Sequence, residues 1–489
     1  MLKHTKIVAT ISDLRCEVDF IQKLFDEGMN VVRMNSAHLN DKGFMKIINN
    51  VRQVSSRIGL LMDTKGPEIR TTFAEEDIYL KTDDIIRVEG NPEGISSRET
   101  IYVSYPNLTE RMDVGKAILI DDGEVDLKVI EVHDTYLICV SQNDGIVGSR
   151  KSVNIPDVRI DLPSLTEKDI YNIKFAIKND VDFIAHSFVR NKQDVLDVQK
   201  ILDEQNSSIK IIAKIENQEG VDNIDEILQV AYGIMVARGD LGIEVAQEKI
   251  PAIQRALIRR AIYFKKPVIV ATQMLHSMIS NPRPTRAEIT DIANAIYYRT
   301  DAVMLSGETA YGKYPVEAVR TMTQVARESE RSKLSENDIR VPTAGDDRDI
   351  TSFLAKQAVK SAAKLNTKAI VTDSHTGRTA RVLAAFRGSQ PVFAMATSER
   401  LARELSLSYG VWAEYQPGEG IENTKESRRA YYEDAIRKLV KYNMINIEDR
   451  VAYIGGSFGE TGGTTYLDIN EASKVLEAKD KYNLPDYTL

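Results

Sequence analysis

Three stretches decide the fold: Asp182-Phe-Ile-Ala-His-Ser-Phe188, Lys210-Ile-Ile-Ala-Lys-Ile-Glu216 and Tyr232-Gly-Ile-Met-Val-Ala-Arg238. Each is short, rich in branched apolar residues and apolar at consecutive positions. That is the texture of a strand covered on both faces. Between them, 195–201 and 221–228 place apolar residues at helical spacing. Strand–helix alternation of this kind builds parallel βαβ units. Similar apolar runs lie at 6–12, 30–36 and 59–64 on one side and at 267–273 and 301–306 on the other. With helical stretches at 250–262 and 289–296, the set of eight runs predicts a closed (β/α)8 TIM barrel.

One interval is anomalous. The distance from Gly59 to Asp182 is roughly four times the ~30 residues of an ordinary βαβ unit. A helix at 166–179, opened by Ser164 and Thr166, supplies the third barrel helix, which leaves 71–155 as an insertion after the third strand. Its short strand-like runs and its turns Asp121-Asp-Gly and Asn143-Asp-Gly read as a small antiparallel β domain. The charged stretch 328–338 marks a second boundary. Beyond it, a helix at 350–365 and strands starting at Ala369, Val392 and Arg450 predict a C-terminal α/β domain, with 418–429 as a surface loop. The expected domains are a barrel of 1–70 and 156–335, an inserted β domain of 71–155 and a C-terminal domain of 336–489.

Composition narrows the function. The chain has 489 residues, 43% hydrophobic and 28% charged, enough to bury several cores without a disulfide or metal staple. Two cysteines far apart in sequence fit a reducing compartment, the cytoplasm. The opening Met1-Leu-Lys-His has no apolar region of the kind a secretory signal needs, and no apolar run reaches membrane-spanning length. A net charge of −8 argues against a nucleic-acid partner.

Barrel active sites sit at the C-terminal ends of the strands. Those ends carry Arg33, Asn35 and His38; Asp63, Lys65, Glu68 and Arg70; Ser187; Lys214 and Glu216; Arg238, Gly239 and Asp240; Thr272 and Gln273; and Ser306 and Glu308. Glu216 and Asp240, on neighbouring strands, suit a hard divalent cation. Lys214 shares a strand face with Glu216, and Arg33 brings a guanidinium fork for phosphate oxygens. Metal, lysine and arginine together serve phosphoryl transfer, which is mostly an electrostatic task. Thr272 and Ser306 are hydroxyls fit to relay a proton. Singly, each of these residues reads as well as a loop ion pair, a helix cap or a solvated charge; only their convergence points to chemistry. Gly307-Glu-Thr-Ala-Tyr-Gly312-Lys313-Tyr314 resembles a P-loop but has Tyr314 where a hydroxyl would hold magnesium, so Gly312-Lys313 reads as a structural turn.

The chain resembles the pyruvate kinase family over nearly its whole length. The resemblance is carried by Met62-Asp-Thr-Lys-Gly-Pro-Glu-Ile-Arg70, Leu162-Pro-Ser-Leu-Thr-Glu-Lys-Asp169, Ala213-Lys-Ile-Glu-Asn-Gln-Glu-Gly220, Gly233-Ile-Met-Val-Ala-Arg-Gly-Asp-Leu-Gly242, Ala271-Thr-Gln-Met-Leu275, Asn281-Pro-Arg-Pro-Thr-Arg-Ala-Glu288 and Asp301-Ala-Val-Met-Leu-Ser-Gly-Glu308. It implies a barrel, an inserted lid and a C-terminal regulatory domain, usually in a homotetramer. It also implies phosphoryl transfer from phosphoenolpyruvate to ADP, giving pyruvate and ATP. In that family's pattern Glu216 and Asp240 bind a divalent metal, Mg2+ or Mn2+, and Lys214 stabilises the phosphoryl in flight. Arg33 contacts phosphate, and backbone amides at Gly239 and Asp240 hold the substrate carboxylate. Thr272, with water and Ser306, belongs to the proton path. His38, Arg70 and Lys151 match positions that approach the nucleotide, with Asp122 reaching in from the lid. Asn35, Asp63 and Thr64 match positions that hold K+.

The sequence departs from the family in two places. Ala37, in Asn35-Ser-Ala-His-Leu39, replaces a serine that ligates potassium in the family, while Glu68 is the residue type of potassium-dependent members. Potassium is therefore expected, with water or Ser36 filling the gap. Thr10-Ile-Ser-Asp13 stands where the family has Thr-Ile-Gly-Pro, near the nucleotide. In the C-terminal domain, Thr372-Asp-Ser-His-Thr-Gly-Arg-Thr379 opens a helix. Thr372, Ser374, Thr376, Gly377, Arg378 and Thr379 resemble the family's loop for a phosphorylated effector, and they read equally well as an ordinary helix cap. The loop Gly455-Gly-Ser-Phe-Gly-Glu-Thr-Gly-Gly463 lacks the tryptophan and arginine of fructose-bisphosphate-regulated members. Two other readings stand beside this one: an aldolase-type lyase sharing the Glu216–Asp240 pair, and a degenerate non-catalytic paralogue.

Overall fold

The computed structural model describes residues 2–333, 349–417, 425–456 and 463–481. The boundary region around 336 and most of the 455–463 loop lie outside them. Eight parallel strands close into a barrel: Lys6–Thr10, Val31–Asn35, Gly59–Asp63, Phe183–His186, Lys210–Ile215, Gly233–Ala237, Val268–Ala271 and Ala302–Leu305, the last pairing with the first. They are called here the first to eighth strands. Period-two alternation sorts their side chains. Val8, Val31, Leu61, Phe183, Ala185, Ile212, Met235, Ile269 and Met304 fill the interior as one cluster, while Val32, Leu60, Met62, Ile184, Ile211, Ile234, Val270 and Val303 face the covering helices in another. Continued to the mouth, the same register points Arg33, Asn35, Asp63, Ser187, Lys214 and Glu216 inward, and Thr64 and His186 outward.

The helices begin where side chains can take up their first amide groups. Thr166 caps Glu167–Lys178 in a reciprocal box with Asp169, and Thr285 does the same for Arg286–Tyr297 with Glu288. Ser164 is not part of that cap; its hydroxyl bonds Asp197. The helical stretch read at 221–228 is two helices, Gln218–Asp222 and Ile224–Val230, broken at Asn223.

The insertion is a β-barrel with its own apolar core, including Val88, Ile101, Ile118, Leu127, Val129 and Leu137. Seven strands run from Ile69–Arg70 at one edge to Thr100–Val103 at the other. The edges meet through a Thr71–Val103 bridge, with Ser104 N donating to Arg70 O (2.8 Å) and Thr72 N to Tyr102 O (2.9 Å). One pair, Ile85–Gly90 with Thr100–Val103, is parallel, a departure from the antiparallel reading. The predicted turn at Asp121 is present: Asp121, Asp122 and Gly123 all take positive φ between Ala117–Ile120 and Val125–Val132.

In the C-terminal domain the order is Val411–Tyr415, Val392–Ala396, Ala369–Ser374, Arg450–Gly456, Thr464–Glu471. The last strand is antiparallel, and it and Val411–Tyr415 carry no strand reading in the sequence. The part of 418–429 that is described is helical, the start of Lys425–Lys441, rather than loop. This domain grips the bottom of the barrel through buried charges. Asp182, just before the fourth strand, accepts from Arg403 Nε (2.7 Å), Arg52 Nη2 (3.2 Å) and Leu60 N (2.8 Å). Asp301, just before the eighth, accepts from Arg387 Nη2 (2.5 Å), Tyr409 N (3.0 Å) and Val268 N (3.1 Å). Lys6 Nζ donates to Val411 O (2.5 Å) and lies 4.9 Å from the Trp412 ring.

Removing one partner of such a buried pair strands the other charge, at a cost of about 3–5 kcal/mol. Arg387→Met is therefore expected to lower the free energy of unfolding by that amount and to move the urea midpoint down accordingly. Trp412, the chain's single tryptophan, reports the loss by fluorescence in urea titrations.

Candidate active site

The inward residues of the second, third and fifth strands meet at the mouth. Arg33 Nη2 lies 2.5 Å from Asp63 Oδ2, and Arg33 Nη1 donates to Thr10 Oγ1 at 3.1 Å. Lys214 Nζ lies 2.8 Å from Glu216 Oε1 and 3.5 Å from Asp63 Oδ2, and donates to Ser187 Oγ at 2.8 Å. Glu216 Oε2 accepts from Phe188 N at 2.7 Å. Asp63 and Glu216 are almost wholly buried. Burial disfavours the charged form of every member of this cluster, and the partners decide the outcome. Asp63 is held below the usual carboxylate range because Arg33 and Lys214 outweigh its burial. Lys214 stays firmly protonated because Glu216, Asp63 and Asp240 outweigh its own. Glu216 moves the other way: burial, reinforced by the charge of Asp240, pushes its carboxyl up against the pull of Lys214.

This imbalance tests whether a cation fits. Three carboxylates, Asp63, Glu216 and Asp240, act on two cations, Arg33 and Lys214. Asp63 Oδ1 is buried and accepts no hydrogen bond among the described residues, whereas Glu216 Oε1 is faced by the Lys214 ammonium. Buried oxygens without donors are costly unless something positive faces them. A pair of carboxylates is the donor set of a hard divalent ion that keeps several waters. Asp240 lies in the first turn of the helix Arg238–Glu244 and lines a cavity of about 440 Å3 between barrel and lid, together with Glu68, Phe188 and the lid's Asp122.

Thr272 follows the seventh strand with φ +68°, and Gln273 has φ +54°. A β-branched residue rarely takes that conformation, and such strain persists only where surroundings enforce it. Here Arg238 enforces it. Its Nη2 donates to Thr272 O (2.6 Å), and Nη1 holds Asp291 at 2.8 and 2.7 Å. Thr272 Oγ1 in turn donates to Ala271 O (2.7 Å) and accepts from Gly239 N (2.8 Å). Sequence reading placed Arg238 at the end of the sixth strand but gave it no role, because backbone strain leaves no mark in residue order.

The remaining expected residues sit as follows. Ser306 N donates to Glu308 Oε2 (2.8 Å), and Leu275 N donates to Glu308 Oε1 (3.1 Å), so the buried Glu308 braces loops rather than lining the mouth. Arg70 forks onto Glu68 at 2.9 and 3.0 Å. Lys151 Nζ reaches Asp121 Oδ2 at 2.5 Å, and Asp122 Oδ1 accepts from Ser152 Oγ at 2.9 Å, both within the lid. His38 is exposed, and Asn35 Oδ1 accepts from Ala37 N at 3.1 Å. Ser36 Oγ is buried with no partner among the described residues. Ser12 Oγ donates to Ala310 O (3.1 Å), and Lys46 Nζ donates to Asp13 O (2.8 Å). The Gly307–Tyr314 stretch is a short helix closed by Gly312 N onto Gly307 O (2.8 Å), the structural turn expected. In the C-terminal domain Gly377 has φ +74°. Thr379 Oγ1 lies 2.8 Å from Thr464 Oγ1, Thr372 Oγ1 donates to Asp373 O (3.0 Å), Arg378 pairs with Asp349 (3.1 Å), and Ser374 Oγ is buried without a partner among the described residues. Arg378 N bonds Thr376 Oγ1 at 3.4 Å.

A barrel whose rim sets a buried ammonium and guanidinium among carboxylates, under an inserted β lid, defines a phosphotransferase of the barrel-and-lid class. Residues 2–319 match the family description "Pyruvate kinase, barrel domain" and 352–470 match "Pyruvate kinase, alpha/beta domain". The chain is 44% identical to a pyruvate kinase of Borreliella burgdorferi over 98% of its own length and 99% of that protein. It is 41% identical to one of Bacillus licheniformis, covering 97% of this chain and 81% of that one. The crystal structure of a pyruvate kinase from Cryptosporidium parvum superposes with a TM-score of 0.89 at 35% identity, covering 96% of each chain. The chain belongs to the pyruvate kinase family. Its reaction is phosphoryl transfer between phosphoenolpyruvate and ADP, with a divalent metal as cofactor. No helix among the described residues is long and apolar enough to cross a membrane.

Because Arg238 holds Thr272 in its strained geometry without being part of the Lys214–Glu216 cluster, Arg238→Met is expected to lower kcat by about tenfold to a hundredfold. Metal binding to the resting protein should stay intact, as read by manganese(II) paramagnetic resonance.

Proposed function

We propose that Lys214, Arg33, Glu216, Asp240 and Thr272 perform the phosphoryl transfer as follows. The observation that carries the assignment is the position of Lys214 Nζ, 2.8 Å from Glu216 Oε1 and flanked by Asp63. An ammonium so placed stays charged and faces the mouth, where it meets the negative charge of a transferring phosphoryl group. Arg33, fixed by Asp63 and Thr10, presents its remaining guanidinium edge to phosphate oxygens. Glu216 and Asp240 hold the divalent ion, Mg2+ or Mn2+. When bound, that ion draws charge off the substrate oxygens. The backbone amides of Gly239 and Asp240, at the start of a helix, bind the substrate carboxylate. Thr272, with water and Ser306, moves a proton to the enolate carbon, which makes pyruvate and drives the transfer forward. His38, Arg70, Lys151 and Asp122 approach the nucleotide, and lid closure removes water from the transfer.

A potassium ion belongs at Asn35, Asp63 and Thr64. Asp63 Oδ1, buried without a hydrogen bond among the described residues, supports it. Because Thr64 points its hydroxyl away from the mouth, its carbonyl is the group it offers. Water or Ser36 stands in for the hydroxyl missing at Ala37. The loop Thr372–Thr379 is a candidate site for a phosphorylated effector, supported by its position at the opening of the helix Arg378–Ala385. The chain works as a cytoplasmic homotetramer with a barrel of 1–70 and 156–335, a lid of 71–155 and a C-terminal domain of 336–489. The family membership favours phosphoryl transfer over the lyase and scaffold readings.

The test is steady-state ATP formation from phosphoenolpyruvate and ADP, with magnesium and potassium omitted in turn. Turnover is expected to need both, and equal turnover with and without potassium at saturating magnesium overturns the potassium assignment. Lys214→Met is expected to lower kcat by at least about a thousandfold, with manganese(II) still bound. Retained activity in that variant overturns the role given to Lys214.

A further inference from the structure

One buried titratable group near the site has no part in the reaction just described. His186 ends the fourth strand, is fully buried, and faces outward toward the helices. Its Nδ1 lies 3.2 Å from Thr64 Oγ1, and its Nε2 has no hydrogen-bond partner among the described residues. A doubly protonated ring would need an acceptor at Nε2 and has none among the described residues, so the ring is neutral.

Thr64 joins this ring to the catalytic cluster through a ladder between the ends of the third and fourth strands. Thr64 N donates to Ala185 O (2.9 Å), Ser187 N donates to Thr64 Oγ1 (2.9 Å), and Ser187 Oγ donates to Thr64 O (2.8 Å). A serine hydroxyl has one proton. Because Ser187 spends it on Thr64 O, a lone pair is left facing Lys214 Nζ at 2.8 Å. The direction of that bond therefore depends on where Thr64 stands. Gly66, with φ +74°, lets the chain after Thr64 approach closely: an added Cβ there would come within 2.8 Å of the Phe188 ring.

We infer that His186 is a positioning residue, whose bond to the Thr64 hydroxyl sets the Thr64–Ser187 ladder and so the place of the Lys214 ammonium. The energetics favour a role beyond packing. Leucine would fill a similar volume without leaving a buried nitrogen unpaired, and an unpaired buried polar atom is destabilising. A position that mattered only for the core would gain from that exchange. The ring is kept where its Nδ1 can hold Thr64.

The experiment compares His186→Leu, His186→Asn and Thr64→Val in the full chain. Asparagine can place an amide atom near Nδ1; leucine cannot. His186→Leu is expected to lower kcat by about tenfold to a hundredfold. The KM for phosphoenolpyruvate should stay within about twofold and the melting temperature should be unchanged or higher. His186→Asn should recover most of the lost kcat. In a Thr64→Val background, His186→Leu should cost little further, because its route is already gone. His186→Ala carries the same kcat expectation and replaces the leucine variant if that fails to accumulate folded. The inference is overturned if His186→Leu retains kcat within twofold of the parent, if asparagine and leucine are equally impaired, or if the double variant shows the full product of the single losses. It rests on the role given to Lys214. Inactive Lys214→Met beside fully active His186→Leu overturns this inference alone, whereas active Lys214→Met overturns the underlying assignment.

Discussion

Everything at the barrel mouth depends on keeping Lys214 charged where water is scarce. A lone ammonium would not stay protonated there, since burial favours its neutral form. Glu216 and Asp63 reverse that preference from either side, and Arg33 neutralises what Asp63 does not spend on the lysine. The arrangement is over-supplied with carboxylate once Asp240 is counted, a surplus that a divalent ion would offset. The cluster is thus built for its ligands rather than for the stability of the resting chain.

The scaffold around it has to resist this charge. The strand ends around the cluster are tied by backbone strain and polar ladders rather than by apolar packing. Thr272 is held by Arg238, Phe188 takes φ +55° as its amide reaches Glu216, and Thr64 and Ser187 exchange hydrogen bonds. The opposite ends of the strands are anchored differently. Asp182 and Asp301, at the starts of the fourth and eighth strands, are locked to arginines of the C-terminal domain. That domain is therefore bonded directly to the strands whose far ends carry Ser187 and Ser306.

Much of this architecture was legible in residue order. The eight barrel runs, the oversized gap between Gly59 and Asp182, the Asp121 turn and the helix Ile350–Leu365 each follow from local periodicity or local turn chemistry. The rim residues were legible too, because barrel strands alternate and their C-terminal ends were marked by polar residues. Reading failed where the decisive contact was non-local. The parallel pair in the lid, the edge strands Val411–Tyr415 and Thr464–Glu471, and the burial of Glu308 depend on partners distant in sequence.

The sequence by itself determined that a barrel forms, that a second β unit interrupts it, and that Arg33, Asp63, Lys214, Glu216 and Asp240 lie near strand ends. These follow from spacing, which is a property of the chain alone. Only the tertiary structure decided which of them touch, that Thr64 and His186 turn to the outer face while Asp63 and Ser187 turn in, and that Asp63 Oδ1 is left without a donor among the described residues. Those outcomes depend on register between strands and on burial. A one-residue step along a strand exchanges core and exterior, so spacing alone cannot assign contacts across the barrel mouth.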